Sequence, residues 1–129
     1  MTPALETLLI LLVLLQVKHL FADYFLQTPR MLMNRGIYFH IGRIQHAGLH
    51  AAFSIIVFLG VGAPLGFVLV LCALEWLVHY HIDWIKGWYS EKAQDGPADA
   101  AYWRAFGTDQ FMHQMTYVVM ILAWGIHVL

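Results

Sequence analysis

The chain has 129 residues, of which 60% are hydrophobic and only 12% are charged, and its formal net charge is −1. A soluble domain of this length has too small an interior for so many apolar side chains, whereas a bilayer accepts them on the outer face of every spanning helix. The balanced charge offers no basic surface for nucleic acid, and the single cysteine excludes an intrachain disulfide and a cysteine-based zinc site. The composition therefore predicts a single-domain integral membrane protein.

Four segments are apolar enough to be helices that cross, or nearly cross, a bilayer. The first ends before Thr28-Pro29, and it is expected to be a mature helix because it lacks a basic flank and a small-residue cleavage site. Thr108 is a suitable N-cap for the last helix. The predicted fold is an all-α four-helix transmembrane bundle, with helices at about residues 3–27, 43–59, 65–88 and 108–129.

Two connections are longer than simple turns. Residues 29–42 mix arginines with large apolar side chains, a composition typical of a segment that lies in the membrane interface. Residues 89–106 are polar in their middle, which predicts a solvated loop between helices three and four.

The positive charges indicate an orientation. All seven Lys and Arg residues lie late in the first helix or beyond it, or at the end of the third helix or beyond it, so alternating helices carry them to one side. By the positive-inside rule this side is cytoplasmic. We expect a multi-pass protein of the bacterial inner membrane with both termini outside.

Ionisable side chains recur within the apolar segments at a regular spacing. Such groups are expensive in a bilayer, by about 2.5–3.5 kcal/mol for a charged one, so they require pairing, coordination or water. Each predicted helix carries two of them four residues apart, which places both on one helical face. The four pairs are His19/Asp23, His46/His50, His79/Asp83 and Asp109/His113.

All four pairs have the same expected depth. They lie late in helices one and three and early in helices two and four, so alternating helix direction brings them together at the predicted cytoplasmic side. Imidazole and carboxylate groups bind zinc, iron or manganese, and inward-facing pairs of this kind build di-metal sites in soluble four-helix bundles. The sequence predicts one or two divalent ions, with candidate ligands His19, Asp23, His50, His79, Asp83, Asp109 and His113.

Other polar residues are candidates for supporting roles. His46 lies nearer the basic interface, so the choice between His46 and His50 stays open, and His81 is expected to point away because two residues turn a helix by about 200°. Lys86 is placed to neutralise a phosphate, and Gln27 and Gln110 to orient ligands or bind substrate. Glu75 is a candidate general base, further ligand or structural partner.

These motifs resemble a family of small bacterial and phage membrane proteins known only as a domain of unknown function. The resemblance rests on His19-Leu-Phe-Ala-Asp23 with Gln27-Thr28, on a histidine early in helix two, and on two later motifs. These are His79-x-x-x-Asp83-Trp-Ile-Lys86 and Asp109-Gln110-x-x-His113. The resemblance covers nearly the whole chain and implies no particular reaction.

The first hypothesis for function is a metal-dependent hydrolase that acts on a lipid-linked or phosphorylated amphiphile at the cytoplasmic leaflet. The alternatives are a protein that binds or transports metal ions or protons, and a structural subunit held together by a His/Asp network. The expected partners are membrane lipid and this substrate, without nucleic acid, and homo-oligomerisation stays open. The outer halves of helices one and two are nearly all aliphatic, which argues against a transport path through a monomer.

Overall fold

A computed structural model describes residues 2–128, in which the regular secondary structure is all helical and no strand occurs. A long first helix ends in one π-helical turn, Phe21–Phe25, and a short second helix follows before three further long helices. The helices are α1 (Pro3–Leu20), α2 (Pro29–Leu32), α3 (Ile41–Gly60), α4 (Leu65–Ala93) and α5 (Ala100–Val128).

The four long helices form a closed bundle. Each packs against two neighbours, so that α1 and α4 both contact α3 and α5. Their directions alternate: Phe67, near the start of α4, stacks on His127 at the end of α5, while Asp83 further along α4 reaches His113 nearer the start of α5. The alternating order expected from the sequence is therefore present.

Within residues 2–128, three helical segments are long and apolar enough to cross a membrane: Pro3–Phe25, Leu65–Ala93 and Ala100–Val128. Their outer faces carry many large apolar side chains that are exposed in the structure. Exposure of so large an apolar area to water is unfavourable. Helix α3 is not among these three segments, and the first half of this helix contains Arg43, His46 and His50. The chain has the character of a membrane protein.

The interior of the bundle is divided along its length. Toward the start of α1 and the end of α5 it is apolar, with Leu11, Leu15, Phe58 and Val68 completely buried. The other half holds the buried histidines. The polar centre therefore lies at the end of the bundle where α1 finishes and α5 begins.

Several helix boundaries differ from the sequence-based prediction. Helix α5 begins at Ala100, so Thr108 is not an N-cap but lies inside the helix, where its hydroxyl donates to the Arg104 carbonyl at 2.8 Å. The predicted loop of residues 89–106 is reduced to residues 94–99, because both flanking helices extend past their apolar parts. The first helix ends at Phe25, which leaves Gln27 outside it.

Residues 28–40, which we call the strap, connect the first helix to α3 and fold onto the bundle. The Gly36 N–H donates to Glu91 Oε1 at 2.8 Å, and the Trp84 indole N–H donates to the Gly36 carbonyl at 3.1 Å. A Cβ atom on Gly87 would collide with the backbone of Arg35, so a glycine at this position lets the strap approach α4 closely.

Arg43 anchors the strap from the side of α3. This residue is only 4% exposed, and its guanidinium donates to the carbonyls of Ile37 at 2.8 Å and Tyr38 at 3.1 Å, and also to that of Arg35. A buried guanidinium that holds several carbonyls removes their desolvation cost. The segment expected from the sequence to be interfacial is thus an ordered cover, which hydrogen bonds attach to both α4 and α3.

Candidate metal centre

A π-helical turn places the first acidic side chain of the cluster. The Leu26 N–H bonds to the Phe21 carbonyl at 2.9 Å, five residues back, which widens the helix at this turn. Such turns shift the register of the following side chains and are frequent at functional sites. Here both His19 and Asp23 remain directed into the bundle, with His19 Nε2 3.3 Å from Asp23 Oδ2.

Two overlapping groups of side chains are arranged to hold a metal ion. Each residue of a group offers one ligand atom, and within a group these atoms lie within 4.8 Å of one another. One group contains Asp23 with three histidines, and the other contains Asp83 with two. The groups are Asp23, His46, His50 and His79, and His79, Asp83 and His113.

The two aspartates link the imidazoles of all four long helices. Asp23 Oδ1 lies 3.2 Å from His46 Nε2 and 2.8 Å from His50 Nε2. Asp83 lies 3.1 Å from His79 Nε2, 3.2 Å from His113 Nε2 and 3.4 Å from His46 Nε2. Metal–ligand bonds of about 2.0–2.1 Å place tetrahedral ligand atoms roughly 3.4 Å apart, so most of these separations suit a shared ion.

The polar atoms of this cluster are not all satisfied by hydrogen bonds. His79 Nε2 lies close to Asp83, but its alignment is not that of a hydrogen bond, and it has no other partner among the described residues. His46 Nδ1 and Asp109 Oδ1 are also buried without a partner there. Buried polar atoms normally have a hydrogen-bond partner, so the unpaired atoms here need another explanation. Imidazole and carboxylate groups are ligands of divalent transition metals, and such an ion fits this site.

Two of the predicted ligands lie at the edge of the cluster. His19 Nε2 is 2.9 Å from Gln110 Oε1, and its Nδ1 is 3.0 Å from the Tyr117 hydroxyl. Asp109 Oδ1 is 3.5 Å from His113 Nε2, and the Gln110 amide donates to its Oδ2 at 3.1 Å. Neither His19 nor Asp109 belongs to the two groups of converging ligand atoms, so their contacts are those of residues that orient ligands.

A buried ion pair lies next to the cluster, toward the apolar half. The Lys18 ammonium pairs with Glu75, and both side chains are at most 3% exposed. Lys18 also donates to the His50 carbonyl at 3.1 Å and lies 3.5 Å from His50 Nδ1. The Tyr117 hydroxyl lies 3.3 Å from the same nitrogen. His50 is therefore held on its Nδ1 side while its Nε2 faces Asp23.

A polar cleft of 220 Å³ opens onto the cluster. Arg35 of the strap and Lys86 of α4 line it, and neither forms an ion pair with another described residue. The cleft also reaches the ligand candidates Asp23, His46 and Asp83, together with Gln27, Gln110 and Asp109. The strap covers the adjoining side, where Met31, Met33 and Arg35 line a small cavity together with His46 and Asp83.

Sequence reasoning missed several parts of this site. Lys18 was counted among the cations that indicate the orientation, although a lysine within an apolar helix needs a buried partner such as Glu75, and this signal was available. Tyr117 continues the spacing of Asp109 and His113 by one more turn. By contrast, His81 is exposed and bonds to the Tyr38 hydroxyl at 2.9 Å, away from the cluster as expected.

The fold and this cluster define an all-helical protein with membrane-type helices and a buried His/Asp centre at one end. The chain belongs to the family described as "Protein of unknown function (DUF3307)", whose model matches residues 10–128. The family membership expected from the sequence is confirmed. No curated protein and no solved structure matches the chain.

Proposed function

We propose that this protein is a metal-dependent membrane hydrolase that cleaves a lipid-linked or phosphorylated amphiphile at the cytoplasmic face. The observation that carries the proposal is the convergence of His46, His50, His79 and His113 with Asp23 and Asp83 beside a cleft that holds free cations. The centre would take one or two ions of zinc, iron or manganese, the metals that suit nitrogen and oxygen ligands.

The proposed topology has all four long helices crossing the bilayer, with α3 included because its residues Arg43, His46, His50 and Ser54 are buried. Lys18 and Arg43 are buried, so they give no information about orientation. The remaining cations, Arg30, Arg35, Lys86, Lys92 and Arg104, are all exposed or half-buried at the end where the cluster lies. The positive-inside rule makes this end cytoplasmic and puts both termini outside.

The cations of the cleft favour a phosphorylated substrate. Arg35 and Lys86 offer charge-assisted hydrogen bonds to phosphate oxygens, which a neutral ester or sugar would not need. Gln27 and Gln110 add neutral polar groups in the same cleft. A substrate whose charged group fits here and whose remainder is apolar is an amphiphile of the membrane itself.

The proposed reaction is the hydrolysis of a phosphate monoester. The oxygen of water forms a bond to phosphorus, the phosphorus–oxygen bond to the lipid breaks, and the lipid leaves as an alcohol after taking up a proton while inorganic phosphate is released. A divalent ion bound at the cluster supplies Lewis acidity toward the phosphoryl group and water. Arg35 and Lys86 hold the phosphate, and Asp109 and Gln110 orient His113 and His19.

Glu75 has a positioning role in this proposal rather than that of a general base. Its carboxylate pairs with Lys18 and does not line the cleft. Glu75 positions the Lys18 ammonium, and Lys18 in turn contacts His50 of the cluster.

Transport and a purely structural role fit less well. Beyond Glu75 and Ser54 the described interior contains Leu11, Leu15, Phe58 and other apolar side chains, which interrupt a polar path. A network that only joins helices would satisfy its own hydrogen bonds, whereas His79 Nε2 is left without one.

The hydrolase proposal is tested with Asp83→Asn, which keeps the size of the side chain but removes its charge. We expect the release of inorganic phosphate from monododecyl phosphate in detergent micelles to fall by roughly 100-fold, because ligand-sphere changes of this kind cost at least that order. The matched control is Asp99→Asn, at an exposed position in the connection between α4 and α5. Equal phosphate release by the two variants, or none by the wild type with metal bound, contradicts the proposal.

A further inference from the structure

A second depression, outside the bundle interior, lies between α4 and α5. It is a groove of 580 Å³ with mostly apolar walls. Small side chains of α5 leave the space, and larger ones border it. The apolar lining comes from Ile82, Ile85 and Tyr89 on α4 and from Ala101, Ala105 and Met112 on α5.

The groove adjoins the polar cleft. Lys86 and Asp109 line both, so the two depressions meet at these side chains. Arg104 adds a second cation to the groove, and neither Lys86 nor Arg104 forms an ion pair within residues 2–128. The two unpaired cations outnumber the one carboxylate of the groove, that of Asp109, so the charge of the lining suits an anion attached to a hydrocarbon.

We propose that the groove holds the hydrocarbon chain of a long-chain phosphate monoester while its phosphate lies in the polar cleft beside Lys86. This inference rests on the proposed function and names the substrate class for the same site. Lipid tails are as apolar as the groove, so packing of the chain provides little preference by itself. Selectivity for the anion comes from Lys86 and Arg104, and the groove directs the bound phosphate toward Asp83 and its neighbours.

The chain also contains a natural control. A groove of 480 Å³ between α3 and α4 is lined by Ala51, Ile55, Ala73, Trp76 and other residues without a charge. It offers a similar apolar volume but nothing that recognises phosphate. Ordinary bilayer lipid would occupy both grooves alike.

The inference is tested by native mass spectrometry of the purified protein in detergent. The probe is the phosphonate analogue of dioleoyl phosphatidic acid, which is not hydrolysed, compared with dioleoyl phosphatidylcholine. We expect Ala105→Trp, which fills the α4–α5 groove, to reduce binding of the phosphonate by about tenfold, and Arg104→Gln to reduce it several-fold. Ala73→Trp, which fills the uncharged groove, should leave binding unchanged, and the metal content should be the same in all three.

Equal binding of the phosphonate by Ala105→Trp and Ala73→Trp, or no preference over phosphatidylcholine, overturns the inference. Hydrolysis of the short substrate monobutyl phosphate separates it from the proposed function. If Ala105→Trp still cleaves monobutyl phosphate but wild type shows no specific phosphonate binding, only the groove assignment fails. If wild type binds the phosphonate through the groove but cleaves neither monobutyl phosphate nor monododecyl phosphate, only the hydrolase proposal fails.

Discussion

Replacement of His79 by alanine is expected to abolish metal retention. His79 is the one residue that belongs to both groups of converging ligand atoms, and it is 1% exposed in the middle of the cluster. Its loss would remove a nitrogen ligand from an ion held by either group, so metal affinity should fall by about 100-fold or more. Metal per chain, measured by inductively coupled plasma mass spectrometry after dialysis, reports this directly.

His81→Ala is the matched control for this prediction. It removes an imidazole from the same helix two residues further on, where the side chain is exposed and contacts the strap. Circular dichroism serves to check that both variants keep their helical content. If His79→Ala retains as much metal as His81→Ala, the cluster is not the metal site.

Neutralising Lys18 alone is expected to destabilise the protein strongly. In Lys18→Met the Glu75 carboxylate stays buried without its partner, and breaking such a pair costs about 3–5 kcal/mol. The free energy of unfolding, measured by denaturant titration in mixed micelles, should fall by this amount. Glu75→Met should lower the free energy of unfolding by about as much, because it leaves the Lys18 ammonium buried without its partner.

The double variant Lys18→Met/Glu75→Met decides whether the loss comes from the unpaired charge. Removing both charges relieves the penalty, so the double variant should be more stable than either single variant and should keep its metal. A double variant that loses the sum of the two single effects would show that the pair is not coupled in this way.

The position of the cluster was predictable from the sequence because two simple regularities determine it. The spacing of four residues puts both members of each pair on one helical face, and alternating helix directions bring the four pairs to one end. The contacts of Asp23 with His46 and His50, and of Asp83 with His113, agree with this expectation. The convergence needed no knowledge of side-chain packing.

Other features depend on contacts that hydrophobicity does not encode. The π-helical turn at Phe21–Phe25 changes the register of one helix by a single hydrogen bond, and nothing in the apolar pattern signals it. Helix α5 begins at Ala100, and its first turns precede the apolar part of the segment. A prediction from hydrophobicity finds only the apolar part. The burial of Arg43 depends on carbonyls that the strap brings to it.

The most direct test of the central claim is the metal content of the wild-type protein, purified without chelators. We predict between one and two divalent transition-metal ions per chain, with zinc, iron or manganese as the ion found. Extended X-ray absorption fine structure should then show nitrogen and oxygen ligands at about 2.0–2.2 Å and no sulfur. A content below about 0.1 ion per chain, unchanged after incubation with each of these metals, would contradict the account.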